Sequence, residues 1–289
     1  MKAQIFEKFF SAIPALTRHH APGTPLYGFF KAVMRREVEA LFSKKNGRTA
    51  EFPPFGGLNF PYHKMGAVDT LNLFDLDELI IFSFYWQNRS RYRRVLDIGA
   101  NLGLHSVILG KCGYSVNCYE PDRLHFKILK ENLALNGITK ARPYNMAVTD
   151  KDGVADFIRV LGNTTGSHIA GAKQNPYGKL EKVSVKTRAF KKMVKGFDLV
   201  KMDVEGFEKT LIVSTGKDDW EATDALLSVH DTENARVLFG HFNKLGINLF
   251  SQKIGWRKAA RISDMPMNHY EGTLFVSAKK TMPWPDVRI

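Results

Sequence analysis

Residues 95–103 read Val95-Leu96-Asp97-Ile98-Gly99-Ala100-Asn101-Leu102-Gly103, a short apolar run that breaks into Asp-x-Gly-x-x-x-Gly and resumes as a helical pattern. Arg93-Arg94-Val95-Leu96 predicts a buried strand, and Leu102, Val107, Ile108 and Leu109 fit an apolar helix face after it. A glycine loop between strand and helix lets the backbone approach a ligand closely, with the first helical amides facing it. An acidic residue follows at the tip of the next expected strand, Ser115-Val116-Asn117-Cys118-Tyr119-Glu120. That spacing is close to the roughly 20 residues at which a carboxylate meets ribose hydroxyls in nucleotide-binding α/β units.

The glycine spacing separates two cofactor classes. Dinucleotide enzymes use Gly-x-Gly-x-x-Gly, because the second glycine admits a pyrophosphate. Here that position is Asn101, and an acid stands two residues before the first glycine. The pattern resembles motif I of the class I S-adenosylmethionine (SAM) methyltransferases, whose cofactor carries an ammonium group rather than a phosphate. The resemblance implies Asp97, Gly99, Ala100, Asn101 and Gly103 around the cofactor, with Asp97 attracting the ammonium directly or through water. Glu120 and Pro121 would meet the ribose, and Asn145, Met146 and Ala147, after the third strand, would flank the adenine.

A second segment, Phe197-Asp198-Leu199-Val200-Lys201-Met202-Asp203-Val204-Glu205-Gly206-Phe207-Glu208, predicts a buried strand ending at Asp203, a turn, and a helix from about 206. Ligands of open α/β sheets bind beyond the carboxyl ends of strands, so Asp203 and Glu205 should face the methyl acceptor. The segment closely resembles the Lys-(Ile/Met)-Asp-Val-Glu-Gly-x-Glu signature of the FkbM family of SAM-dependent methyltransferases. Glu120-Pro121, Asn132, Asn136-Gly137, Ala147-Val148, Asp150, Gly153 and Gly166-Ser167 keep the order expected of that family. The likeness covers about residues 71–278. It implies O-methylation of a hydroxyl, on a sugar, a glycan precursor or a related small molecule. One departure is that Ser228-Val229-His230-Asp231 stands where the family usually has a glutamate near the fifth strand.

Methyl transfer from a sulfonium is an in-line displacement, so the protein must align the acceptor oxygen and receive its proton. His230 is the candidate base, because its ordinary pKa lies near 6.5. Asp203 would orient it, bind the acceptor, or act as the base itself. Glu205 is either a site residue or a cap for the following helix, where a carboxylate is favoured. Asp203, His230 and Asp231 also form a sparse set for Mg²⁺, with fewer oxygens than a hard cation wants, and no metal ligand is assigned. Asn175-Pro176-Tyr177 precedes a strand rather than following the acceptor strand, and is assigned to turn chemistry.

The elements that must position these residues follow from the pattern beyond Arg94, where strand and helix alternate as in a doubly wound parallel sheet. Strands are expected at 94–98, 115–119, 142–147, 154–160, 182–187, 198–202, 225–230, 247–252 and 272–278. Helices are expected near 103–112, 122–136, 188–194, 206–214 and 232–245. The fold class is α/β: a class I SAM-methyltransferase, Rossmann-like domain over 71–289, with a mostly parallel seven-stranded sheet and helices on both faces. Residues 1–70 form an N-terminal helical and loop extension. Within it Ile5, Phe6, Phe9, Phe10, Ile13 and Leu16 mark an amphipathic helix, interrupted near Pro14, that packs on the domain, pairs with a subunit or lies on a membrane. A further helix is expected near 26–43, and another over Leu71 to Trp86.

Composition bounds the remaining choices. The chain of 289 residues is 44% hydrophobic and 12% aromatic, enough for a sizeable core. It has no run of about 18 apolar residues and no apolar leader, so a cytoplasmic protein is expected, with peripheral contact at the inner membrane face as a further option. Cys112 and Cys118 fit buried thiols in a reducing compartment. The net charge of +13, with clusters at Arg35-Arg36, at Lys44, Lys45 and Arg48, and at Arg89 to Arg94, suits a solvated basic surface, an acidic acceptor, an anionic membrane or nucleic acid. Two rivals to a glycan O-methyltransferase therefore stand: an RNA 2′-O-methyltransferase, and a non-catalytic docking subunit with the same fold.

Overall fold

The computed structural model describes residues 2–44, 49–173 and 178–284. Lys45 and Arg48 of one basic cluster and Asn175-Pro176-Tyr177 lie outside them. Two helices open the chain, α1 (Lys2–Ala12) and α2 (Pro25–Phe42), joined by a 3-10 turn over Ile13–His19 that begins where Pro14 interrupts the α-helical pattern. A two-stranded ribbon, β1 (Thr49–Glu51) and β2 (Gly57–Asn59), leads to helix α3 (Leu76–Gln87). The helix expected over 71–86 starts late: Asp69 caps a separate 3-10 turn at Thr70–Phe74, and Asp75 then caps α3.

The extension shares its core with the rest of the chain. Phe6, Phe9, Phe10 and Ile13 are buried in one apolar cluster with Phe52, Phe82, Val107 and Leu109. Most of the apolar face of α1 is thus used within the chain, while Ile5 remains exposed. No described helix is long and apolar enough to cross a membrane.

The central sheet is assembled from β3 (Arg94–Ile98), β4 (Ser115–Tyr119), β5 (Ala141–Tyr144), β10 (Leu199–Met202), β11 (Asp224–Leu227), β12 (Asn248–Ser251), β13 (Arg257–Lys258) and β14 (Leu274–Ser277). Its spatial order is β13-β12-β14-β11-β10-β3-β4-β5. Strands β5, β4, β3, β10 and β11 are parallel, while β14 runs antiparallel between β11 and β12. This is the expected class I methyltransferase sheet of seven strands, with the two-residue β13 added at one edge. Helices α4 (Leu104–Lys111), α5 (Arg123–Leu135), α6 (Glu208–Val213) and α7 (Thr232–Leu245) make the crossovers.

Strands expected at 154–160 and 182–187 do not join that sheet. They form β7 (Gly153–Val160) and β9 (Leu180–Ala189) of a separate four-stranded sheet, ordered β6-β9-β7-β8, with β6 (Ala147–Thr149) and β8 (His168–Ile169). The strand expected over 142–147 is split accordingly: Asn145 and Met146 are where the chain leaves one sheet for the other. The alternating exposed and half-buried pattern of β9 suits an antiparallel sheet with one wet face. The helix expected at 188–194 is two 3-10 turns, Phe190–Lys192 and Val194–Gly196.

Candidate active site

The carboxyl ends of β3, β4 and β10 open into a cavity of about 870 Å³, a size suited to a small-molecule ligand. Gly99 turns the chain out of β3 with φ +74, and a Cβ there would stand 1.8 Å from the carbonyl oxygen of Asp203. Only glycine allows these two loops to touch. Asn101 follows at φ 52, and Gly103, at φ 84, starts α4. At the tip of β4, Glu120 is 5% exposed and accepts the amides of Asn101 and Asp122, each at 2.8 Å. Burial raises its carboxyl to about 8, although the two amides favour the ionised form. Gly99, Ala100, Asn101, Glu120, Pro121 and Ala147 all line the cavity.

Four expected cofactor residues, Asp97, Gly103, Asn145 and Met146, do not line it, and Gly103 instead packs against Leu129 where α4 begins. Asp97 is fully buried beneath the loop, accepting from Ser106 Oγ at 2.6 Å, with its other oxygen 3.7 Å from Lys201 Nζ. It supports the site through Lys201 rather than facing a ligand. Asn145 uses its amide on the carbonyls of Glu120 and Pro121, at 2.9 and 3.0 Å, and so fixes the loop instead of flanking a base. Met146 packs among partly buried residues of the apolar cluster, while Val148 takes the wall position beside Ala147.

The acceptor side is an ion cluster. His230 lies three residues beyond the end of β11, yet its Nε2 reaches 3.2 Å from Asp203 Oδ1 and 3.8 Å from Glu205 Oε1. Its Nδ1 is 3.1 Å from Glu208 Oε1. Burial disfavours the imidazolium, but Glu208, then Asp203 and Glu205, overcome that and lift His230 well above its ordinary value. Burial likewise works against ionised Asp203, yet the His230 hydrogen bond and Lys201 hold its carboxyl below the usual range. Three carboxylates around one imidazole favour its protonated form, an environment that the sequence, which offered His230 as a free base, did not reveal.

Glu205 is not a helix cap. Its backbone is left-handed at φ 56, its carboxylate meets Lys173 Nζ at 2.5 Å, and α6 begins only at Glu208. Glu208, fully buried, closes the turn instead by accepting the amides of Val204 at 2.9 Å and Gly206 at 3.1 Å. Asp231, considered for Mg²⁺, caps α7 through Asn234. Asp203, Glu208 and His230 do bring ligand atoms within 4.8 Å of one another. The His230 imidazolium offsets one of the two carboxylate charges, and as three donors they fall short of the set a hard cation needs.

The methyltransferase FkbM domain matches residues 97–245. The chain belongs to the FkbM methyltransferase family. The matched domain is a SAM-dependent methyltransferase domain, and SAM fits the cavity: Asn101 Oδ1 is buried at its wall without a hydrogen-bond partner, and Gly99 keeps the loop bare. Glu120 would hold the ribose, and Ala147 and Val148 would cover the base.

No curated protein matches the FkbM chain significantly. Among solved structures it is similar to StiE O-MT, with 14% identity, TM-score 0.33 and coverage of 56% of this chain and 47% of that one. It is also similar to a SAM-dependent methyltransferase from Agrobacterium tumefaciens, with 8% identity, TM-score 0.36 and coverage of 70% and 62%. Monomeric WbdD matches with 12% identity, TM-score 0.37 and coverage of 71% and 41%. The matched part spans less than two thirds of each of these chains, and membership in the FkbM family rests on the domain match alone.

Sequence reasoning missed several wall residues. Tyr27 and Lys31 of α2, Glu78 of α3, His105 of α4 and Tyr270 near the C-terminus all line the cavity. Nothing in their local pattern marks them, because three come from the extension and α3, whose contact with the glycine loop is purely tertiary. Glu208 was legible as the last residue of the FkbM signature but not as the His230 partner.

Proposed function

We propose that this methyltransferase transfers the SAM methyl group to a hydroxyl of an uncharged, polyhydroxylated, sugar-like acceptor. The observation that carries this is the charge balance of the wall. The protein has a net charge of +13, yet the described cavity lining sets six carboxyl groups, Asp75, Asp77, Glu78, Glu120, Asp203 and Glu205, with the Glu120 carboxyl raised to about 8, against Lys31, Lys173, Lys201 and His230, so the basic excess of the exterior is not carried inside. A basic exterior around a cavity with paired charges and many acceptor oxygens suits a neutral acceptor that offers many hydroxyl donors, and provides no cationic cradle for a phosphate. Tyr270, 75% exposed at the cavity wall, adds an aromatic face of the kind that stacks on a sugar ring.

The chemistry follows from the ion cluster. The Asp203 side chain is 34% exposed, against 11% for His230 and 23% for Glu205, so it is the carboxylate presented to an acceptor. Ionised, it accepts the hydrogen bond of the attacking hydroxyl and aligns that oxygen. The hydroxyl proton becomes strongly acidic as the C–O bond forms, and even a weak base such as Asp203 then suffices. His230, held as imidazolium by Glu208, keeps Asp203 oriented and ionised. The cofactor supplies the electrophilic methyl group.

The test is methyl transfer from isotope-labelled SAM to neutral oligosaccharides, acidic polysaccharides and RNA in parallel, with the product carbon identified by NMR. An O-methyl signal on neutral sugars supports the proposal. Label confined to RNA or to acidic polymers contradicts it.

A further inference from the structure

The cavity wall changes character along the sheet edge. Over β4 and the small sheet, apart from Glu120 and His168, it is apolar, built from Tyr119, Ala147, Val148 and Phe157. Over β10 and α4 it is charged. Lys201 sits in the middle of a buried apolar strand, in register with Asp97. Its ammonium donates to the carbonyl of Gly99 at 3.2 Å, while Asp97 and Asp203 stand at 3.7 and 4.0 Å, beyond hydrogen-bond reach. An ammonium has three donors, so two lack a hydrogen-bond partner among the described residues, in a side chain 11% exposed.

Glu78 approaches the same end from α3. Its Oε2 lies 2.9 Å from His105 Nε2, and His105 Nδ1 lies 3.0 Å from the Tyr85 hydroxyl, so the imidazole is held at both nitrogens. Glu78 is close enough to Lys201 to raise its pKa electrostatically. A fixed carboxylate and a partly unsatisfied ammonium at one end of a cavity, opposite an apolar end, match a ligand that is aromatic at one end and zwitterionic at the other.

Resting on the SAM assignment, we infer that Lys201 and Glu78 form the subsite for the amino-acid end of the cofactor. Lys201 takes the α-carboxylate, Glu78 takes the α-ammonium, and His105 is the positioning residue for Glu78. Glu78 lies outside the matched FkbM domain, so this half of the subsite comes from the helix before it. Asp97, buried below, stabilises the Lys201 charge rather than touching the ligand.

The experiment is calorimetric titration of the full-length protein with S-adenosylhomocysteine and with 5′-methylthioadenosine, which keeps the adenosine and sulfur but lacks the amino-acid end. Glu78→Gln and Lys201→Met should each weaken S-adenosylhomocysteine roughly tenfold or more, the usual scale for a charged hydrogen bond, and leave 5′-methylthioadenosine unchanged. His105→Phe should weaken S-adenosylhomocysteine alone, by less. Equal losses for both ligands, or no loss for either, would overturn the inference. Should Lys201→Met fail to fold, Glu78→Gln decides by the same two ligands. Wild-type protein that binds 5′-methylthioadenosine as tightly as S-adenosylhomocysteine overturns the subsite but keeps the cofactor. Binding of neither overturns the cofactor assignment with it.

Discussion

Glu120 gives a pH-dependent prediction for adenosine binding. Its carboxyl is 5% exposed and raised to about 8 by burial, against which the amides of Asp122 and Asn101 and the charge of Lys201 act, while Asp122 adds to the rise. Each of its oxygens accepts one amide and keeps a lone pair for a ribose hydroxyl. If the ionised form is the one that clamps the ribose, the apparent affinity scales with the ionised fraction. That fraction is about 3% at pH 6.5 and about 90% at pH 9, so dissociation constants should tighten about thirtyfold across the interval. The sign is fixed by the raised pKa: affinity rises with pH, and binding releases a proton below pH 8. The ligand of choice is 5′-methylthioadenosine, which has no group titrating in this range. Calorimetry in buffers of different ionisation enthalpy measures both the constant and the proton. Glu120→Gln should bind weakly and without pH dependence. A flat wild-type profile, or one that weakens with rising pH, refutes the reasoning.

Three further outcomes follow from the geometry. Gly99→Ala places a methyl group 1.8 Å from the Asp203 carbonyl at positive φ, and should cost at least about 3 kcal/mol in denaturant unfolding together with loss of S-adenosylhomocysteine binding; an unchanged midpoint would contradict the loop contact. His230 should remain protonated well above its ordinary value by heteronuclear NMR, and Glu208→Gln should lower its titration; because its folded value is raised, the His230 share of the stabilisation is complete below about pH 6.5 and is lost as pH climbs through that raised value, while the depressed Asp203 and Glu205 carboxyls lose their share only as pH falls through their folded values. Asn145→Ala removes two hydrogen bonds to the Glu120-Pro121 backbone and should destabilise by about 1–2 kcal/mol in the same unfolding assay, with weakened 5′-methylthioadenosine binding if it holds Glu120 in place.

The sheet and its glycine loop were legible because their signals are local. Val95-Leu96-Asp97-Ile98-Gly99 and Leu199-Val200-Lys201-Met202-Asp203 are apolar runs ended by turn residues, and the structure places strands at 94–98 and 199–202. Asp203, Glu205 and His230 were singled out separately and do meet. Two kinds of feature were not legible. Sheet membership of β7 and β9 depends on pairing partners, and an alternating strand looks the same in either sheet. Protonation states depend on who surrounds whom: His230 suggested a base until Glu208, Asp203 and Glu205 were seen around it. Asp97 misled for a related reason, since a carboxylate at the expected position can face the ligand or sit beneath a lysine. Only packing distinguishes the two.

The most direct measurement is a crystal structure of the full-length protein with S-adenosylhomocysteine. The account predicts ribose hydroxyls on Glu120, the base against Ala147 and Val148, the amino-acid end between Glu78 and Lys201, and the sulfur over Gly99 facing Asp203. A ligand reversed along the sheet edge, or bound with its sulfur away from Asp203 and His230, would contradict it.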